Sequence, residues 1–156
     1  MTQASFPSEA FPAFPAVTLD GPDGWEPRAV AGTVLALIDD RGADAFSPNV
    51  VVGVTRTPAG HTLDEAAAAI EEYVGRLPEV APVDAARVEF SGRTWAVSEF
   101  AYTTEAVGTV VQVVAVTVVD HGTITDVVRV TGTATPADYE TSLPAIRRIV
   151  SGALVG

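Results

Sequence analysis

The side chains able to do chemistry are few in this sequence and far apart. There are two histidines, His61 and His121, and no cysteine. His61 stands just before a helix-start signal and His121 precedes a glycine in a turn, so both read as exposed turn residues rather than catalytic bases. Two lone imidazoles cannot build a multi-histidine metal site, and no His-x-x-x-His spacing exists. A Ser–His–acid triad can assemble from distant positions, but the chain has neither a Gly-x-Ser-x-Gly elbow nor a short glycine-rich phosphate loop. Asp39, Asp40 and Asp44 crowd one loop without the alternating ligand spacing of an EF-hand or its closing glutamate. The tempting carboxylate is Glu99, which alternation places on the same strand face as Trp95. Enclosed in a pocket with a second carboxylate, it could support acid–base hydrolysis. The plainer reading is a strand-edge carboxylate, or one paired with Arg93 or Arg129. We therefore expect no catalytic residue, no metal, no cofactor, and no enzyme.

The aromatic residues of the body suggest recognition instead. Trp25 follows a turn and should plug one end of the core. Trp95 points to one sheet face, Phe100 and Tyr102 to the other. All three read first as core. If helices cover one of these faces incompletely, Trp95, Phe100 and Tyr102 are the candidate partner-binding residues for an apolar or basic protein segment.

Composition narrows the partners. The 156 residues suit one domain with a core that needs no disulfide or metal. All nine cationic residues are Arg; with abundant Ala, Val and Gly, this reads as codon bias in a GC-rich bacterium. The net charge of −11 argues against nucleic acid and anionic lipid surfaces. It favours solubility or a basic partner. No apolar run reaches the roughly 18 residues of a membrane span. The first residues lack a signal-peptide pattern and no cysteine could carry a lipid, so the expected location is cytoplasmic unless an export segment precedes this chain.

The elements that must position these residues are legible as follows. Residues 1–14 form a Phe/Pro arm, with Phe6-Pro7, Phe11-Pro12 and Phe14-Pro15 in its course; it should lie extended along the body. A single domain covers 15–156. It opens with a short strand near 15–20, a Gly21-Pro22-Asp23-Gly24 turn, and strands over 30–38 and 49–56. Thr62 and Glu65 match a capping box, starting a helix to about Leu77 whose apolar stripe includes Ala66, Ile70 and Tyr73. Strands over 87–90 and 93–103 flank the Ser91-Gly92 hairpin. Residues 107–120 are apolar on both faces, the mark of a central strand covered on both sides. A strand over 123–134 follows. Thr135-Pro136 then opens a final helix, which Pro144 should kink or restart. Consecutive strands with short turns pair antiparallel. The expected architecture is α+β: an antiparallel sheet of about six to seven strands flanked by helices, an α/β/α sandwich.

In this order the chain resembles the Mog1/PsbP-like fold group, and within it the actinobacterial LpqN-type family. The resemblance is carried by Phe14-Pro15, Pro22-Asp23-Gly24-Trp25, Phe46-Ser47-Pro48-Asn49 with the valines after it, the helix capped at Thr62, the Gly92 hairpin, the long valine strand and the terminal helix. It implies binding rather than catalysis: partner-binding proteins, photosystem assembly factors and chaperones for secreted effectors occur in the group. LpqN-type members are usually lipoproteins, a pattern this sequence departs from. Three functions are expected in order: a chaperone-like adaptor recognising a protein segment on its sheet face or edge; a small-ligand binder or unrecognised hydrolase using Glu99 or a histidine; and a structural subunit joined through an edge strand or the arm.

Overall fold

Strand β7 (Gly108–Asp120) organises the molecule. It is buried on both faces, with Val111, Val113 and Ala115 on one side and Val110, Val114 and Val116 on the other. A strand with no polar face must lie inside a sheet covered above and below. The computed structural model describes residues 1–156. In it β7 lies between β6 (Arg93–Thr104) and β8 (Ile124–Ala134). The sheet extends on one side through β5 (Ala81–Phe90) and on the other through β4 (Asn49–Pro58), β3 (Leu35–Ile38) and β2 (Glu26–Pro27). All seven strands pair antiparallel, in the order β2-β3-β4-β8-β7-β6-β5. A separate ribbon joins β1 (Val17–Thr18) to β9 (Leu154–Val155).

One helix covers part of each face. α1 (Leu63–Gly75) starts at Thr62, whose hydroxyl accepts from the Glu65 amide at 3.1 Å, satisfying one of the donors a helix start leaves free. Ala66, Ala67 and Ile70 pack on Ala96, Phe100, Val114 and Val116. α2 (Tyr139–Ser151) covers the opposite face, with Leu143, Ile146, Ile149 and Val150 against Val50, Val52, Val128 and Val130. The fold is the antiparallel α+β sandwich expected from the sequence.

Several local expectations differ from the structure. Residues 30–34 are not strand: the chain turns at Gly32 (φ 78°) and enters β3 only at Leu35. β5 begins at Ala81 rather than Arg87, because an edge position tolerates Pro82, and a bulge lies between Pro82 and Asp84. α2 runs through Pro144 without breaking. A short 3₁₀ turn over Pro136–Asp138 precedes it, and Pro144 removes a single backbone bond near exposed Glu140. The helix ends at Ser151, and Leu154 leaves the expected helical stripe to pair with Thr18. The arm folds back on the body: Phe6 and Phe14 flank the Arg56 guanidinium, with ring centroids 5.7 and 4.7 Å away.

Candidate functional site

The two helices are offset across the sheet. α2 sits over β8, β4 and β7, and α1 over β7 and β6. On the α2 face, the end of the sheet made by β5 and the outer part of β6 therefore lacks a helix above it. Facing residues in a ladder share a side, so Ala86, Val88 and Phe90 of β5 lie on the face of Val97 and Trp95 of β6. Ala86, Val88, Phe90 and Val97, with Val83, Val113 and Val150, line a cleft of about 490 Å³ between β5, β6 and the flank of α2. Val83 and Val88 are exposed at 58% and 41%.

Charged groups mark the cleft. Glu99, 8% exposed, points into it from β6. Its partner is neither Arg93 nor Arg129 but Arg147 of α2, which donates Nε to Oε1 at 2.8 Å and an Nη2 proton to Oε2 at 2.7 Å. Arg93 instead donates to the carbonyls of Val155 and Val118, and Arg129 lies 4.9 Å over the Tyr73 ring. The Glu99 hydrogen bonds hold the Arg147 guanidinium above its ordinary value, against the opposing effect of burial. With both oxygens committed to a fork, Glu99 is a positioned anion. Asp84 adds a second carboxylate to the cleft lining. Two carboxylates and one guanidinium line the cleft, so its lining carries surplus negative charge.

The aromatic residues singled out from the sequence are placed differently from one another. Trp95 is fully buried on the α2 face and stacks on Phe90, with centroids 4.6 Å apart. Phe100 is 1% exposed beneath α1. Neither side chain offers surface to a partner, because the helices and the hairpin close over both. Tyr102 alone is partly open, beyond the C-terminal end of α1; burial, then the neighbouring Tyr73, pushes its hydroxyl up from the ordinary value. Trp95 contributes indirectly, by backing the Phe90 ring that lines the cleft.

The histidines are half-buried rather than exposed. His61 Nδ1 lies 3.0 Å from Glu65. His121 Nε2 lies 2.8 Å from Asp126, a carboxylate with no exposed surface. Arg56 reaches the same carboxylate with two bonds of 2.8 Å. The Arg56 bonds hold Asp126 below the usual carboxylate range, and His121 adds to this against the cost of burial. Neither histidine lines the cleft. The loop carboxylates Asp39 and Asp40 turn to Arg41 and Arg28, and no cluster of three His, Asp or Glu side chains is arranged to hold a metal.

Sequence reasoning missed Arg147 and the open valines of β5. A usable signal lay in the alternation of Asp84, Ala86, Val88 and Phe90, once the strand is started at Ala81.

No protein-family model matches the chain, and no curated protein matches it by sequence. Solved structures do. LpqN of Mycobacterium tuberculosis, described as involved in cell envelope biogenesis, superposes with a TM-score of 0.78 at 13% identity, over 92% of this chain and 85% of that one. The PsbP protein of the cyanobacterium Synechocystis sp. PCC 6803 gives 0.58 at 12% identity, over 100% and 99%. The Ran-binding protein Mog1p of Saccharomyces cerevisiae gives 0.57 at 14% identity, over 90% of each chain. The chain has the Mog1/PsbP-like fold, with LpqN-like similarity across most of its length.

Proposed function

From a chain of the Mog1/PsbP-like fold, we propose a non-enzymatic protein-binding module, adaptor- or chaperone-like, that holds an apolar, positively charged segment of a partner protein in the cleft between β5, β6 and α2. The carrying observation is the valine-lined cleft with Asp84, Glu99 and Arg147 in its lining. Apolar walls supply affinity through area removed from water, and the surplus carboxylate selects a Lys or Arg side chain, whose stem can lie on valine while its head meets the acid. The net charge of −11 steers the same class of partner. Ran binding by Mog1p is a precedent for partner recognition in this fold, an analogy of fold only. The reading keeps the cytoplasmic location expected from the sequence; recovery of the protein in an envelope fraction would overturn that part.

Titration with short synthetic peptides tests the site. Apolar peptides carrying Lys or Arg should bind, and more weakly at high salt. Val83→Arg, at an exposed rim position, removes apolar wall and cancels surplus negative charge, and should weaken them about tenfold. Equal affinity for Val83→Arg and the parent protein, or no preference for basic peptides, would reject the assignment.

The cleft volume favours one second reading, a small cationic amphiphile as ligand, since pockets of roughly 300–1,000 Å³ suit small molecules. Saturable binding of such an amphiphile, with no peptide bound, would select it. Hydrolysis finds less support, because Glu99 is clasped and neither histidine is at hand.

A further inference from the structure

The sheet ends in two unlike edges. β2 has two residues and one of them is Pro27, so it presents almost no ladder to a newcomer. β5 has ten residues, nine of them exposed, and pairs only with β6. Pro82 and the adjoining bulge spoil its beginning, but from Asp84 to Phe90 it pairs with β6 in unbroken register. Its outward backbone groups over that stretch meet no other strand, and a regular open edge is a template for another strand.

The residues Ala86-Arg87-Val88-Glu89-Phe90 indicate which strand. When two copies of one edge strand pair antiparallel, the two-fold axis stands normal to the sheet and facing residues must share a side. Only registers whose facing numbers sum to an even value are therefore allowed. Centred on Val88, the pairing sets Val88 against Val88 of the second copy, Ala86 against its Phe90, and Phe90 against its Ala86. All of these lie on the α2 face, where Ala86, Val88 and Phe90 are cleft-lining residues. On the other face, Arg87 meets Glu89 of the second copy and Glu89 meets its Arg87. Opposite charges directly across a ladder stabilise it, and like charges oppose it. Neighbouring registers lose this match. Centred on Arg87, the two guanidinium groups face each other; centred on Ala86, Arg87 and Glu89 face Ala85 and Val83. Arg87 is free to turn outward, since its contact within the chain is 3.3 Å to Asp64, a side chain 91% exposed.

We propose that β5 pairs with β5 of a second copy of this chain, antiparallel and centred on Val88, joining two seven-stranded sheets into one. The axis leaves both clefts on the same side. Their apolar floors then meet across the seam, with one α2 on each flank. The dimer does not depend on what the cleft binds: it rests on Arg87 and Glu89, whereas the peptide test rests on Val83.

Sedimentation equilibrium over a concentration series, at about 0.15 M salt so that repulsion between two acidic copies is screened, reads the result. The parent chain should pass from monomer to dimer. Arg87→Glu and Glu89→Arg each turn both facing pairs into like charges, and each should weaken the dimer roughly tenfold. Both positions are exposed, so the melting temperatures should stay near that of the parent. Mixing the two variants in equal amounts, or combining both substitutions in one chain, restores opposite charges and should restore dimerisation. A monomer at every concentration would overturn the proposal and leave the edge to an extended segment of another protein. A dimer that ignores both reversals would overturn it too, by placing the interface elsewhere.

Discussion

Asp126 shows how much one residue can demand of its surroundings. It sits on the α2 face of β8, between Ile124 and Val128, where period two places core residues. A carboxylate with no exposed surface is stable there because Arg56 and His121 converge on it. Asp126→Asn keeps the shape and removes the charge, leaving Arg56 without its anion; unfolding in urea should show a loss of about 2–4 kcal/mol at neutral pH. The pH dependence follows from the direction of the shift. A carboxylate lowered in the folded state stabilises it fully above the ordinary unfolded value, and that stabilisation fades as pH falls through the range toward the folded value. The parent protein should lose stability on acidification below about pH 4, and Asp126→Asn should lose less over the same range. Identical slopes would exclude Asp126 as the titrating group. The sequence reading passed over Asp126, although alternation sets its charge on a core face of the strand; its partners lie beyond local pattern, because Arg56 is 70 residues away and faces it only through the β4–β8 register.

At the scale of elements, the approach of α2 to the sheet is set at Gly132. This glycine of β8 faces Val50 and Val113, and a Cβ there would collide with the Ile146 side chain. A branched residue on the helix thus occupies space that the strand leaves empty. Gly132→Ala should destabilise the protein by about 1–3 kcal/mol through overpacking, read as a lower urea midpoint with an unchanged m-value. Gly132→Ala with Ile146→Leu, which removes the Cγ2 methyl that the new Cβ would strike, should recover part of that loss; no recovery would place the strain elsewhere. Features held within a few residues were readable beforehand: the Thr62 cap, the two-faced β7, and the Ser91-Gly92 hairpin with both residues at positive φ (52° and 73°). Strand limits were less so. β5 was expected only from Arg87; Pro82, which would oppose a central strand, is harmless at an edge, and only the sheet order makes β5 an edge.

For the whole molecule, the arm is the part whose contribution can be removed cleanly. It wraps back so that Phe6 and Phe14, 5.5 Å apart, bracket Arg56, and the Thr123 hydroxyl reaches the carbonyls of Glu9 and Ala10 at 3.5 Å. The arm therefore rests on the outer member of the Asp126 cluster. Deleting residues 1–14 removes both cation–π contacts, together worth about 1 kcal/mol at this partly exposed site. The melting temperature should fall by about 2–4 °C in a chain of this length, with a single cooperative transition retained. An unchanged melting temperature would mean that the arm adds nothing to the fold.

Some of this protein was decided by its sequence alone. Alternating and two-faced valine segments, a capped amphipathic helix and glycine turns act over distances of a few residues, so they specify an antiparallel α+β sandwich however the strands are ordered. The charge of −11 and the absence of cysteine likewise need no coordinates. Tertiary structure decided which residues meet. Glu99 finds Arg147 rather than Arg93 or Arg129 because α2 lies over β7, beside β6, and the long arginine side chain reaches across to Glu99. Trp95 and Phe100 are sealed, while the valines of β5 stay open, because the two helices are offset and β5 is the last strand in the sheet. Exposure belongs to strand order and helix placement, which depend on contacts far apart in the chain; local pattern names the faces of each element but not what lies over them.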